Sequence, residues 1–127
     1  MGQAYQAQKR TVLCIDDDLA ILTYEQALLE RSGYRVLTTA SAQQGLTMAM
    51  THQLDAVILD YHMPEISGHA VAAAIKRFRP EVLIVMFSAS PIPEETLQLV
   101  DAVVLKTDTV GKLLPTVAHL CGRASPS

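Results

Sequence analysis

Short apolar runs alternate with longer amphipathic stretches along the 127 residues of this chain. Five runs are rich in aliphatic and β-branched side chains, which favours strands buried in a sheet. The predicted strands are residues 11–15, 35–38, 55–60, 82–87 and 102–105. The stretches between them place apolar residues at helical spacing. This alternation predicts an α/β fold in which right-handed crossovers put helices on both faces of a parallel sheet.

Capping and breaking residues mark several of the predicted helices, and two helices, residues 19–31 and 68–79, end at clear stop signals. Ser41 can cap the second helix, with Gln44 at the capping-box position. Pro93 suits the first position of a fourth helix of only about two turns. Asp108 can cap the last helix, but Pro115 inside it should kink or divide it.

Composition and charge indicate one globular domain. Half of the residues are apolar, 18% are charged and the formal net charge is −3, which gives no electrostatic reason to expect binding to nucleic acid or to an anionic membrane. No apolar run approaches the roughly 20 residues that span a bilayer, and the N-terminus lacks the apolar core of a secretory signal. The predicted organisation is a flexible lead (1–10), a folded domain (11–121) and a disordered tail (122–127).

Several common kinds of site are disfavoured by spacing. Cys14 and Cys121 form neither a disulfide framework nor a CxxC motif, and we interpret them as one buried and one incidental thiol in a reducing cytosol. The four histidines show no spacing typical of zinc ligands. No GxGxxG follows the first strand, so a dinucleotide site has little support.

Polar residues follow the ends of four predicted strands: Asp16 and Asp17, Asp60, Ser88, and Lys106. Because parallel strands end at one edge of a sheet, these groups should share a shallow pocket there. Three neighbouring carboxylates require a cation to stay ionised. Hard oxygen ligands suit Mg²⁺ or Mn²⁺.

With that metal bound, Asp60 can act as a nucleophile and form an aspartyl-phosphate. The metal, Lys106 and the hydroxyl of Ser88 would each contact one phosphoryl oxygen. Taken singly, each residue also has a structural interpretation: the aspartate run as a helix cap, Ser88 as a turn former and Lys106 as a solvated strand end. Chance alone would rarely place such residues at four strand ends, so their joint occurrence favours the functional interpretation.

At these residues the sequence resembles the receiver domain of bacterial two-component response regulators, over about residues 10–121. The matching stretches are the acidic pair after VLCI, the DYHMPEISG turn that starts at Asp60, Ser88-Ala89, and Lys106. The resemblance implies a flavodoxin-like, doubly wound five-stranded sheet of order 2-1-3-4-5. It also implies a cytoplasmic protein whose phosphorylation shifts an equilibrium between two states.

The resemblance further implies the role of each site residue. Asp60 would accept the phosphoryl group from a histidine kinase or a phosphotransfer protein. Asp17, Asp60 and the main-chain oxygen of His62 would hold Mg²⁺ or Mn²⁺ directly, and Asp16 would help mainly through water. Ser88 would reorient toward the phosphoryl group, with Lys106 as its counter-charge.

Three departures from the family pattern concern output. Val103 stands where the family usually has an aromatic residue, and Thr107 stands where a proline, often preceded by a cis bond, usually follows the lysine. Without proline a cis bond costs about 3 kcal/mol, so we expect a trans bond or a rearranged loop. The segment from Ser88 to Lys106 is also short, consistent with a stunted fourth helix. All three changes fall on the face that receivers commonly use for dimers or effectors.

Three functions remain in competition at this point. The leading hypothesis is a phospho-acceptor domain that controls an effector protein or domain, alone or as a homodimer, and catalyses only its own phosphorylation and dephosphorylation. The second is an interaction module that works without phosphorylation. The third, a metal-dependent phosphatase, is disfavoured because His62 occupies the position of its usual second acid.

Overall fold

The computed structural model describes residues 9–108 and 110–124. Within these residues, five strands form one parallel sheet of order β2-β1-β3-β4-β5, which confirms the predicted fold. The strands are β1 Thr11–Ile15, β2 Arg35–Thr39, β3 Ala56–Asp60, β4 Leu83–Ser88 and β5 Ala102–Leu105. The helices are α1 Leu19–Arg31, α2 Ala42–Thr51, α3 Gly68–Phe78, α4 Glu94–Leu97 and α5 Leu113–Ala124. None of these helices combines the length and the apolar character that a bilayer crossing requires.

Side chains that alternate along the central strands build two apolar layers, one on each face of the sheet. Val12, Cys14 and Ile58 face the layer that contains residues of α1 and α5. Leu13 and Leu59 face the layer that contains residues of α2 and α3. All five residues of β3 are buried, so the strand that ends on Asp60 is enclosed on both faces.

Both cysteines are buried free thiols. Cys14 lies in β1, as its apolar surroundings predicted. Cys121, which was interpreted as incidental, is 2% exposed and packs in the layer of α1 and α5. Its side chain belongs to the apolar face of the last helix, together with Val117 and Leu120.

Local hydrogen bonding corrects the predicted capping box of α2. The Ser41 hydroxyl accepts from the Gln44 N–H at 3.1 Å, as a cap should. The Gln44 side chain, however, accepts from the Thr39 hydroxyl at 3.0 Å, and the Ser41 N–H donates to the same hydroxyl at 3.2 Å. Thr39 therefore takes the place of the expected reciprocal contact.

The last two helices differ from their predicted extents. Helix α4 is a single turn with Pro93 as its N-cap, rather than two turns with proline inside. Helix α5 begins at Leu113 after two 3₁₀ turns, Lys106–Asp108 and Val110–Lys112, so Pro115 lies in its first turn, where its missing N–H costs no helical hydrogen bond. The break that Pro115 was predicted to cause therefore falls at the start of α5. The Asp108 side chain, predicted to cap this helix, lies outside the described part, and α5 continues past residue 121 to Ala124.

Candidate functional site

Three carboxylates meet at the carboxyl edge of the sheet. Asp16 follows β1 and Asp60 ends β3, and the parallel pairing of Ile15 with Leu59 places these two ends side by side. Asp16 is 1% exposed and Asp60 is 6% exposed, whereas Asp17 is exposed. One carboxylate oxygen from each residue lies within 4.8 Å of the others. The geometry therefore brings together the acidic groups that the strand ends predicted.

Lys106 directly follows β5, the edge strand of the sheet, and reaches this acidic group. Its Nζ lies 2.9 Å from Oδ2 of Asp16 and 3.6 Å from Oδ1 of Asp60. On the way it passes the ring of Phe87, whose centroid is 5.5 Å from Nζ, so the ammonium is also positioned by a cation–π contact. One ammonium thus lies between two buried carboxylates.

The charges in the site shift each other's pKa. Burial, and then the negative charge of Asp16, raises the pKa of Asp60, while Lys106 and the N–H of His62 act in the opposite direction. For Lys106, burial pushes the pKa down, but its contacts with Asp16 and Asp60 outweigh burial, and the pKa is raised. The lysine is therefore held as an ammonium, and the excess of carboxylates favours entry of a further cation.

Ser88 ends β4 and is completely buried. Its hydroxyl donates to the Ser90 carbonyl oxygen at 2.8 Å and accepts from the Ser90 N–H at 3.2 Å. These bonds close a tight turn and commit the hydroxyl to the loop after β4. The expected reorientation of Ser88 toward a phosphoryl group stays a prediction.

The turn after Asp60 is held close to the carboxylate. The His62 N–H donates to Oδ1 of Asp60 at 3.3 Å, and the His62 ring nitrogen Nε2 lies 3.3 Å from the Ser90 hydroxyl. The Gly68 N–H donates to the Tyr61 carbonyl at 2.8 Å. A Cβ at Gly68 would lie 2.6 Å from the carbonyl oxygen of Asp60, so α3 can begin this close to the site only with glycine.

The structure also shows the three positions at which the sequence departs from the family pattern. Val103 in β5 is half-buried against the layer of α2 and α3. No cis peptide bond occurs in the described residues, so the bond between Lys106 and Thr107 is trans, as expected without proline. The single turn of α4 is tied to α3 by a 2.8 Å contact between Thr96 Oγ1 and His69 Nδ1.

Sequence reasoning missed a fourth acid near the site. Glu25 of α1 is 1% exposed, and among the residues that the structure describes neither of its carboxylate oxygens has a partner in hydrogen-bond geometry. Burial, and then the negative charge of Asp16, raises its pKa to about 8, and the nearby Cys14 thiol offsets this only in part. The signal was present, since Glu25 lies three residues after Leu22 and four before Leu29, on the buried face of the helix.

These features define the class of the protein: a doubly wound α/β domain with an acidic cluster and a lysine at the carboxyl edge of its sheet. A family model described as the response regulator receiver domain matches residues 12–109. The chain belongs to this family.

Individual relatives agree with the family match. The alkaline phosphatase synthesis transcriptional regulatory protein PhoP of Bacillus subtilis is 32% identical over 80 residues, which are 63% of this chain and 33% of that protein. This chain therefore spans about a third of the length of that curated relative.

Two solved structures share the fold. A CheY-like receiver domain protein from Methanospirillum hungatei superposes with a TM-score of 0.87 at 24% identity, over 92% of this chain and 97% of the other. The response regulator TrrA of Thermotoga maritima, solved with Mg²⁺-BeF, gives a TM-score of 0.83 at 26% identity, over 87% and 98%. TrrA has also been solved in complex with the histidine kinase ThkA.

Proposed function

We propose that residues 11–121 form a phospho-acceptor unit in which Asp60 receives a phosphoryl group and the resulting change controls an effector protein or domain. The single observation that carries this proposal is the placement of Asp60. Its buried carboxylate lies 3.6 Å from the Lys106 ammonium, and the oxygens of Asp16 and Asp17 are within 4.8 Å. The donor would be a histidine kinase or a phosphotransfer protein, as the complex of TrrA with its kinase suggests.

The donor set fits a hard divalent cation. Opposite ligands of Mg²⁺ are about 4 Å apart, and one oxygen from each of the three carboxylates lies within 4.8 Å of the others. Asp17, Asp60 and the main-chain oxygen of His62 would bind Mg²⁺ or Mn²⁺ directly, and Asp16 would assist mainly through water. When bound, the cation neutralises the charge on the phosphoryl oxygens and the carboxylates. The relative TrrA, solved with Mg²⁺-BeF, supports this assignment.

With the cation bound, each side chain of the site would take one role in the reaction. One carboxylate oxygen of Asp60 attacks phosphorus, the bond from phosphorus to the leaving group breaks, and the leaving group takes the electron pair and a proton from solvent. Lys106 then pairs with a phosphoryl oxygen, and the Ser88 hydroxyl turns from Ser90 to donate to another. The chain would thus act on itself rather than on a released substrate.

The test is labelling with acetyl phosphate in the presence of Mg²⁺, followed by intact-mass analysis. We expect one phosphoryl group per chain, stable in acid and lost with base or hydroxylamine. Asp60→Asn should abolish labelling. Asp18→Asn is the matched control, because Asp18 is the N-cap of α1 and asparagine caps equally well. Absence of labelling with Mg²⁺ present, or a label that survives Asp60→Asn, would contradict the proposal.

A second function, constitutive binding of a partner through the α4 face, is favoured by Val103 and by the single turn of α4. Here the fold would act as an interaction module regardless of phosphorylation. Partner affinity that is equal with and without beryllium fluoride would support this function. A clear difference would support the phospho-acceptor function.

A further inference from the structure

A polar cavity of about 870 Å³ lies at the amino edge of the sheet, where Arg10 and Asp55 precede β1 and β3 and Arg35 begins β2. Strand β3 extends for five residues from this edge to Asp60. At about 3.3 Å per residue, the cavity and the phospho-acceptor site are therefore roughly 15 Å apart. The volume is within the range of small-molecule sites, about 300–1,000 Å³.

Cationic side chains outnumber acidic ones around this cavity. Its lining contains four cationic side chains, Lys9, Arg10, Arg35 and Arg79, and two acidic ones, Asp55 and Glu81. The whole chain shows the reverse balance, with 10 lysines and arginines against 13 acidic residues. Positive charge is thus concentrated at one concave place on an acidic protein.

Asp55, one of the two acids, is already paired with other residues of the cavity lining. Oδ2 of Asp55 accepts from the Thr11 N–H at 2.8 Å, and Oδ1 lies 3.8 Å from Nη1 of Arg10. Among the residues that the structure describes, Lys9 and Arg35 have no acidic side chain within salt-bridge distance, and both are exposed. Their charges remain available to a ligand.

Arg79, in the lining of the cavity, carries a donor without a partner among the described residues. It follows α3 as the C-cap, and its Nη2 donates to the Met50 carbonyl at the end of α2. That bond anchors the guanidinium, while its buried Nε has no hydrogen-bond partner in the described part of the chain. A buried N–H donor without a partner is uncommon and gains free energy from an acceptor.

The walls of the cavity are preformed by main-chain pairing. The Arg35 N–H donates to the Arg10 carbonyl at 2.8 Å, and the Asp55 N–H donates to the Thr11 carbonyl at 2.8 Å. The cationic side chains therefore project from a sheet edge that is already ordered, which lowers the entropic cost of binding.

We propose that this cavity binds a small molecule carrying a phosphate or diphosphate group. Arginine forks match phosphate oxygens in two-pronged hydrogen bonds, and several unpaired cations favour a multiply charged anion over a single carboxylate. A nucleic acid fits less well, because the chain as a whole is negatively charged.

The experiment is isothermal titration of the full chain with pyrophosphate and with ADP, in EDTA so that the Asp60 site cannot recruit a metal-bound phosphate. Arg35→Gln removes one exposed cavity charge and should weaken binding at least about tenfold. Lys76→Gln removes the same charge from the exposed surface of α3, outside the cavity, and should stay within about twofold of wild type. Amide NMR shifts should centre on residues 53–55 and 35.

Three results would overturn the inference. The first is no detectable binding of either probe, and the second is an equal loss of affinity in both variants, which would indicate diffuse attraction to positive charge. The third is a set of shifts centred on Lys106 and Ser88, which would place the anion at the opposite edge. Retained binding in Asp60→Asn, together with the expected losses, would separate this site from the phospho-acceptor function.

Discussion

Replacing Glu25 with glutamine should stabilise the protein at alkaline pH. In the unfolded chain this carboxyl titrates near its ordinary pKa of 4.5, whereas burial raises its pKa in the folded state to about 8. At a pH between these two pKa values, the folded state holds a proton that the unfolded state has released. The free energy of unfolding therefore falls by about 1.4 kcal/mol for each unit by which the pH rises. The loss is absent below pH 4.5, is complete above pH 8, and amounts to about 5 kcal/mol at most.

Glutamine keeps the volume of the side chain and cannot ionise. We therefore expect Glu25→Gln to match wild type within about 1 kcal/mol near pH 5 and to exceed it by about 2–5 kcal/mol near pH 8, allowing for relaxation around the charge. Urea unfolding in EDTA at intervals from pH 5 to 8 measures this. Exposed Glu30→Gln on the same helix is the control, with an expected change below about 0.5 kcal/mol.

The reasoning fails if wild type and Glu25→Gln lose stability in parallel as the pH rises. It also fails if the variant is the less stable of the two at pH 8. The folded protein would then stabilise the ionised carboxylate of Glu25. A carboxyl ¹³C titration of selectively labelled Glu25 gives an independent value, expected near 8 rather than 4.5.

Three further predictions test how the site is built. Gly68→Ala should destabilise the fold by about 1–3 kcal/mol in denaturant unfolding, because its Cβ would lie 2.6 Å from Asp60 O, whereas Gly122→Ala in α5 meets nothing within 4 Å and should be neutral or stabilising. Lys106→Met should raise the pKa of Asp60 further, since it removes the nearest cation; an unchanged Asp60 titration by NMR would contradict the 3.6 Å contact. Thr96→Val should speed amide exchange in residues 94–99, because it breaks the contact with His69; unchanged exchange would show that α4 is held by other packing.

Strand ends were predictable because backbone topology alone decides where they meet. Once β1, β3 and β5 are parallel neighbours or near-neighbours, Asp16, Asp60 and Lys106 must emerge at one edge, whatever their rotamers. Glu25 required a different inference, that a charged residue on the apolar face of α1 stays buried beside the site. The amino-edge cavity was harder still to predict, because its cationic residues come from separate parts of the chain and no single stretch shows their convergence.

Side-chain direction was the part that strand order could not predict. Ser88 lies at the expected strand end, but its hydroxyl bonds to Ser90 rather than to the carboxylate cluster, because a local turn offers both a donor and an acceptor within reach. Turning it to donate to a phosphoryl group would give up the hydrogen bond that it donates to Ser90, which is worth about 1 kcal/mol. Under the proposed function, charge added at Asp60 would have to offset that loss. Since Val103 has no ring to move in concert, the change would then begin in the loop from Ser88 to Ser90.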